Sequence, residues 1–286
     1  MTTRNNQDRI NTEPGSNVDS QQTNQQAHTL AFSVPTEFVD LPSRGQYYPK
    51  GHALHGVSQL EIKHMTAKEE DLLSNEDLIR KGVVIDRLLQ NVVVTPNVDI
   101  ADMLAGDKSA LIIAARITGY GSDYSAVVTC PACGTKSEKH FDLTNHKTIG
   151  AVFDADTLNE NLEGVRVTED NTFVTTLPRT GFEVEFRMLT GKDEERIKNF
   201  QKKSTSSGTL IDTLAMLMVS VDGVTDRMQI SEFAGNMPAM DSKFLRTLYQ
   251  KLVPNVDLKQ EFVCAKCNHE QDLEVPITAG FFWPQS

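Results

Sequence analysis

Thr129-Cys130-Pro131-Ala132-Cys133-Gly134 and Val263-Cys264-Ala265-Lys266-Cys267-Asn268 are the stretches that decide how this chain is built. Together they hold all 4 cysteines of its 286 residues. Two thiolates three residues apart can bind one ion from a tight turn, and two such turns complete a tetrahedral site. Each turn ends in a residue suited to positive φ, Gly134 in the first and Asn268 in the second. Val128-Thr129 and Phe262-Val263 read as strands entering the turns. The spacing therefore predicts Cys130, Cys133, Cys264 and Cys267 as ligands of one structural metal site. Zn(II) fits four thiolates with no redox demand; iron in the same tetrahedron is the less favoured alternative. A redox dithiol belongs at a strand-to-helix junction, and the context here is strand–turn–strand. Disulfides are the least favoured reading in a reducing compartment. His140 and His269 lie near the turns as possible replacement ligands, although exposed hairpin histidines explain them more simply.

Working outward, the segments before each cysteine pair follow the same order. Leu60, Ile62 and His64 alternate with Glu61 and Lys63 as a short strand. Thr66 and Glu69 then form a capping box for a helix. Gly82 ends a helical stretch, Val83–Val94 is an apolar segment closed by Pro96, and Asp107 is read as the cap of a helix through Leu111–Ile117 that Gly119 and Gly121 stop. In the second half Val184-Glu185-Phe186-Arg187 is again a strand. Leu189–Glu194 answers Met65–Glu70, Gly208–Leu214 answers Gly82–Leu88, and Asp241 and Leu245 answer Asp107 and Leu111. Leu177-Pro178-Arg179-Thr180-Gly181 echoes Leu41-Pro42-Ser43-Arg44-Gly45. The shared order predicts an internal duplication. The fold class expected is α+β, with two similar lobes, each a small β element with helices and a zinc-knuckle hairpin, bridged by one four-cysteine site. The boundaries expected are a disordered Asn/Gln-rich tail over 1–30, a first lobe over 31–150 and a second over 151–286.

Composition narrows the function. A formal charge of −11 argues against a nucleic-acid partner, which calls for a basic face, and against an anionic membrane surface. No run approaches the ~20 apolar residues of a membrane helix. The N-terminus has no apolar h-region, so no secretory signal is expected and the cytoplasm of the producing cell is the default compartment. Catalytic signatures are missing. Gly191-Lys192 is followed by Asp193 rather than Ser or Thr, His269-Glu270 lacks the second histidine of a zincin, and no H-x-E or G-x-S-x-G motif occurs. Glu69-Glu70-Asp71 and Asp193-Glu194-Glu195 fall in first turns of helices, where acids favour the macrodipole. No catalytic residue and no small-molecule substrate are expected. The terminal Phe281-Phe282-Trp283-Pro284-Gln285-Ser286 either folds back onto the core or anchors the chain to a neighbour.

Leu41-Pro42-Ser43-Arg44-Gly45 with Tyr48-Pro49, Thr66–Asp71, Lys81-Gly82, Gly106-Asp107-Lys108, Tyr120-Gly121 and Cys130–Gly134 together resemble the T-even-type bacteriophage baseplate protein family. The resemblance covers residues 38–143 directly and the second half through the repeat. It implies a non-enzymatic structural or assembly component of the baseplate hub of a contractile tail. Its partners would be other hub proteins, and it would be assembled in the host cytoplasm and located in the virion tail. The alternative from another class is a zinc-ribbon adaptor in transcription or replication, which a basic patch would favour.

Overall fold

The structure, a computed structural model, describes residues 33–150, 162, 164–203, 209–277 and 279–283. The N-terminal tail expected over 1–30 lies outside them. Among the described residues the chain is a mixture of eight helices and twelve strands.

β1 (Thr36–Asp40) and β2 (Gln59–Lys63) form an antiparallel pair, with Leu60 and Ile62 buried on its core face. Three short helices follow: α1 (Ala67–Leu73), α2 (Glu76–Lys81) and α3 (Val84–Val92). The capping box read from Thr66 and Glu69 is present, and Gly82 ends α2 in the left-handed conformation at φ 70°. α4 (Ala105–Tyr120) leads into the hairpin β3 (Asp123–Thr129) and β4 (Lys136–Asp142), then the short β5 (Lys147–Ile149).

The second half opens on a larger sheet. β6 (Val165–Val167), β7 (Phe173–Thr176), β8 (Glu183–Phe186) and β9 (Met218–Val221) make one antiparallel sheet in chain order. Between β8 and β9 lie α5 (Gly191–Lys203) and α6 (Thr209–Leu217). The apolar run Leu214–Val221 thus serves as both a helix end and a strand, since Leu217 passes directly into β9. α7 (Arg227–Asn236) and α8 (Ala239–Leu252) precede β10 (Asn255–Asp257), which pairs with β5, and the hairpin β11 (Lys259–Val263) and β12 (Glu270–Glu274).

Buried residues of both halves form one hydrophobic cluster, which includes Leu60, Ile62 and Leu111 from the first and Val184, Phe186 and Leu245 from the second. Burying an aliphatic or aromatic side chain of this size contributes roughly 1.5–3 kcal/mol. The terminal aromatics join this cluster. Phe281 and Phe282 are buried, Phe281 meets the Tyr124 ring edge-on at 5.1 Å, and Trp283 Nε1 donates to Leu73 O at 3.2 Å. Of the two readings of that segment, docking onto the chain's own core is the one seen for residues 281–283.

Two expectations about α4 need correction. Asp107 does not cap it: Leu104 holds the cap position and Asp107 lies inside the first turn, fully buried. Its carboxylate is taken up by tertiary donors. Ser43 N–H and Oγ donate to it at 2.9 and 2.6 Å, and Tyr48 Oη donates at 2.8 Å. Gly119 does not stop the helix either, which runs through it to Tyr120 before Gly121 closes it. A helix interior tolerates one glycine at a cost of about 1 kcal/mol, and here a side chain would press on Met65 Sδ, 2.9 Å from the added Cβ.

Gly106 shows how closely α4 packs on the second half. A Cβ there would lie 1.9 Å from the carbonyl oxygen of Pro254 and 2.8 Å from Asn255 Cα, both backbone atoms that cannot swing aside. In an open helix position Gly→Ala stabilises by up to about 1 kcal/mol. Gly106→Ala is therefore expected to reverse that sign and lower the melting temperature by roughly 5 °C or more, as overpacking against backbone does. Gly235→Ala in α7, where nothing lies within 4 Å of the added carbon, is the matched control and is expected to hold or raise it. Equal shifts for the two variants in thermal melts would contradict the tight approach.

Candidate metal centre

The two cysteine turns are built alike. In the first, Gly134 N–H donates to Cys130 O at 2.8 Å and Cys130 N–H to Thr135 O at 2.9 Å; in the second, Asn268 N–H donates to Cys264 O and Cys264 N–H to His269 O, both at 2.9 Å. Gly134 and Asn268 have φ of 68° and 51°, the left-handed conformation that their residue types favour.

The hairpins bring these tips together. Tyr124, Ala126, Val128 and Phe141 of one face the same cluster as Phe262 of the other. Polar links hold the register: Gln260 Nε2 donates to Asp142 O at 2.7 Å, and Tyr124 Oη donates to Pro276 O at 2.9 Å. The result places Cys130, Cys133, Cys264 and Cys267 so that their sulfurs all lie within 4.8 Å of one another. Two cross-hairpin pairs, Cys130–Cys267 and Cys133–Cys264, are each 3.7 Å apart. A disulfide needs about 2.0 Å, so all four are free thiols. A tetrahedron with metal–sulfur bonds of about 2.3 Å has edges of about 3.8 Å. The donor set and its spacing therefore fit a zinc- or iron-sized ion.

Cys130 and Cys264 are buried, whereas Cys133 and Cys267 reach the surface. The Thr135 hydroxyl and backbone N–H hold the Cys133 thiol down at about 6. Backbone N–H groups of Cys267 and Lys266 lower Cys264 as well. At Cys267 the His269 N–H acts in the same direction, but the neighbouring sulfurs of Cys133, Cys264 and Cys130 outweigh it and push the thiol up to about 12. The physical cause is hydrogen bonding: the protonated Cys267 thiol bonds to its sulfur neighbours, and on ionising it loses those bonds and meets their repulsion instead. A divalent cation removes that repulsion.

Neither histidine joins the cluster. His140 Nδ1 lies 2.8 Å from Ser125 Oγ, and His269 Nε2 lies 3.1 Å from Gln271 Oε1. Two acids of each triplet, Glu69 and Glu70 and then Asp193 and Glu194, sit in first turns while Asp71 and Glu195 fall just beyond them, and Glu69 and Asp193 are also buried there. Burial pushes the Glu69 carboxyl up; bonds from Thr66 and Lys63 outweigh it and hold it below its ordinary value. Asp193 is lowered against its burial by Arg187 and Thr190 in the same way. A cavity of about 470 Å³ is lined by His52, Asp102, Arg187, Lys192 and Asp193. Its three acids each face a cation, Asp193 with Arg187 at 2.7 Å, Asp102 with Lys192 at 3.1 Å and the exposed Asp170 with Lys50 at 3.7 Å. No helix among the described residues is long and apolar enough to cross a membrane.

The sequence did not reveal Asp107 and Asp241 as buried acceptors. Asp241 receives the N–H groups of Arg179 and Thr180 at 2.7 and 3.0 Å. Their one signal was the pairing of each with a Leu-Pro turn about 60 residues upstream, which read only as a faint repeat.

The described residues thus form a mixed α and β protein in which two hairpins bring four thiols into one cluster. The model of the T4 bacteriophage base plate protein family matches residues 34–283, and the chain belongs to that family. Membership implies association with other baseplate proteins in the virion tail and a structural role there. No curated protein and no solved structure gives a significant match.

Proposed function

We propose that this protein is a non-enzymatic component of the baseplate hub of a contractile phage tail, or of its assembly. In this reading Cys130, Cys133, Cys264 and Cys267 hold one structural Zn(II), and the direct partners are other hub proteins. The observation that carries the metal reading is the convergence of four sulfurs from two distant hairpins at the spacing a tetrahedral ion requires. The site has no open position, so the ion supplies cross-linking rather than chemistry. The hub reading rests on family membership together with the motifs around Ser43, Thr66 and Asp107.

The halves 31–150 and 151–286 are read as copies of one ancestral unit. Local geometry supports this. Lys63, Thr66 and Glu69 form a strand-end cation, a cap and a buried acid in mutual hydrogen bonds; Arg187, Thr190 and Asp193 do the same at identical spacing. Ser43 N–H donates to Asp107 just as Arg179 N–H donates to Asp241. The cysteine turns share their bonds in the same way. One ion would then draw half its ligands from each copy.

Elemental analysis of freshly purified, reduced protein is expected to show about one zinc per chain. A mass-spectrometric inventory of purified tails tests the hub assignment separately. Protein free of both zinc and iron would sink the metal reading, and absence from tails and from assembly intermediates would sink the hub reading.

A further inference from the structure

The two edges of the β1–β2 sheet differ. The outer edge of β2 is covered, because Val94 N–H donates to Glu61 O at 2.9 Å and Glu61 N–H to Thr95 Oγ1 at 3.3 Å. In β1 the ladder uses the odd-numbered residues. Leu41 N–H donates to Ser58 O, His64 N–H donates to Pro35 O, and Glu37 and Val39 lie opposite Ile62 and Leu60. The N–H and C=O of Phe38 therefore point away from β2, and no strand among the described residues pairs with that edge.

β5 is a second open edge. Among the described residues it pairs with β10 alone, and Val256 N–H is turned to Asn255 Oδ1 at 2.8 Å. Thr148 and Val256 are thus a non-hydrogen-bonded pair, and Thr148 presents its peptide groups away from β10. Both open edges border one groove of about 270 Å³, floored by Ala110, Ile113, Ala114 and Ile117 of α4.

An open edge is a template for another strand, and a groove with one on each side calls for extended backbone rather than a helix. Its lining carries Glu37 and Asp40, with His146 as its one basic side chain and no lysine or arginine. The Phe38 side chain stands 67% exposed beside it. We propose that this groove receives an extended segment of a partner protein, inserted as a strand between β1 and β5. Small or β-branched residues of that segment would face α4, and a basic residue would meet Glu37 and Asp40. The chain's own 151–161 segment is a poor occupant by charge, since it carries Asp154, Asp156 and Glu160 and no basic residue. The proposal depends on neither the cysteine cluster nor the hub assignment.

Amide hydrogen exchange, followed by NMR on the full chain, reads both edges directly. The probe is a seven-residue peptide of alternating valine and threonine with lysine at each end. One control carries glutamate at the ends, and another is N-methylated at alternate amides. With the lysine peptide, exchange at Phe38 and Thr148 is expected to slow roughly tenfold or more; the controls are expected to have little effect. Phe38→Pro removes the outward donor and leaves the odd-numbered ladder intact. It is expected to keep the melting temperature and lose the peptide-induced protection at Thr148. Ala114→Trp, which fills the floor, is a second way to abolish protection. No slowing at millimolar peptide would overturn the proposal. Protection already present in the free chain would also overturn it: loss of that protection on deleting residues 1–32 would assign the groove to the chain's own segment, and protection rising with concentration alongside a dimer mass would assign it to a second copy.

Discussion

On the proposed metal site, Cys130→Ser and Cys264→Ser are each expected to lower the melting temperature by about 10 °C or more, and by similar amounts, because the loss of either thiolate would release the same ion. The double variant is expected to be no worse than either single one. Independent contacts add, whereas members of one site do not. The hydrophobic cluster spanning both halves should keep every variant folded at low temperature, unlike a small zinc peptide that is unfolded without metal. Addition of a strong chelator should bring the wild type to the melting temperature of the variants and leave theirs unchanged. Thermal melts showing additive losses, or a chelator effect that persists in Cys264→Ser, would remove the cross-link reading.

Asp107→Ala is expected to rank next in effect. It removes the acceptor for Ser43 N–H, Ser43 Oγ and Tyr48 Oη, all in a buried setting. Each buried donor left unpaired costs about 1–3 kcal/mol, so a loss of roughly 3–5 kcal/mol and 10 °C or more follows at this size. Asp107→Asn keeps one acceptor oxygen for the Ser43 N–H and should recover part of the loss. The pH dependence has a definite sign. Burial pushes the Asp107 carboxyl up, more than the bonds from Ser43 and Tyr48 pull it down. A raised folded-state value means its contribution is full below the ordinary carboxylate range and declines as pH rises through the folded value. Glu69 and Asp193 run the other way, since theirs are lowered and their contribution disappears as pH falls. Mild acid should thus spare the Asp107 network while weakening the two caps. Denaturation curves between pH 4 and 7, roughly the range between ordinary carboxylates and neutrality, test this. An Asp107→Ala penalty that shrinks as pH falls would contradict it.

The cysteine site was legible because its chemistry is local. Cys-x-x-Cys followed by Gly134 or Asn268 specifies a turn, and the flanking alternation specifies the strands. The capping box at Thr66 and Glu69 and the stop at Gly82 were legible for the same reason, since their bonds span only a few residues. Asp107 was misread because local grammar places an Asp near a helix start as a cap, whereas Ser43 and Tyr48, about 60 residues away, compete for the carboxylate and win. Gly119 was misread as a stop because tertiary packing under Met65 outweighs its weak helix propensity.

The sequence by itself determined the cysteine turns, the cap at Thr66, the periodicity of the strands and which four cysteines form a cluster. Those depend on residues within one turn of each other. Tertiary structure alone decided that the two hairpins meet with sulfurs 3.7 Å apart, that Gly106 lies against Pro254, and that β1 and β5 leave open edges over one face of α4. The physical reason is range. Backbone and capping preferences act over a few residues, whereas cross-hairpin distance, close helix approach and edge pairing depend on how one shared core is filled.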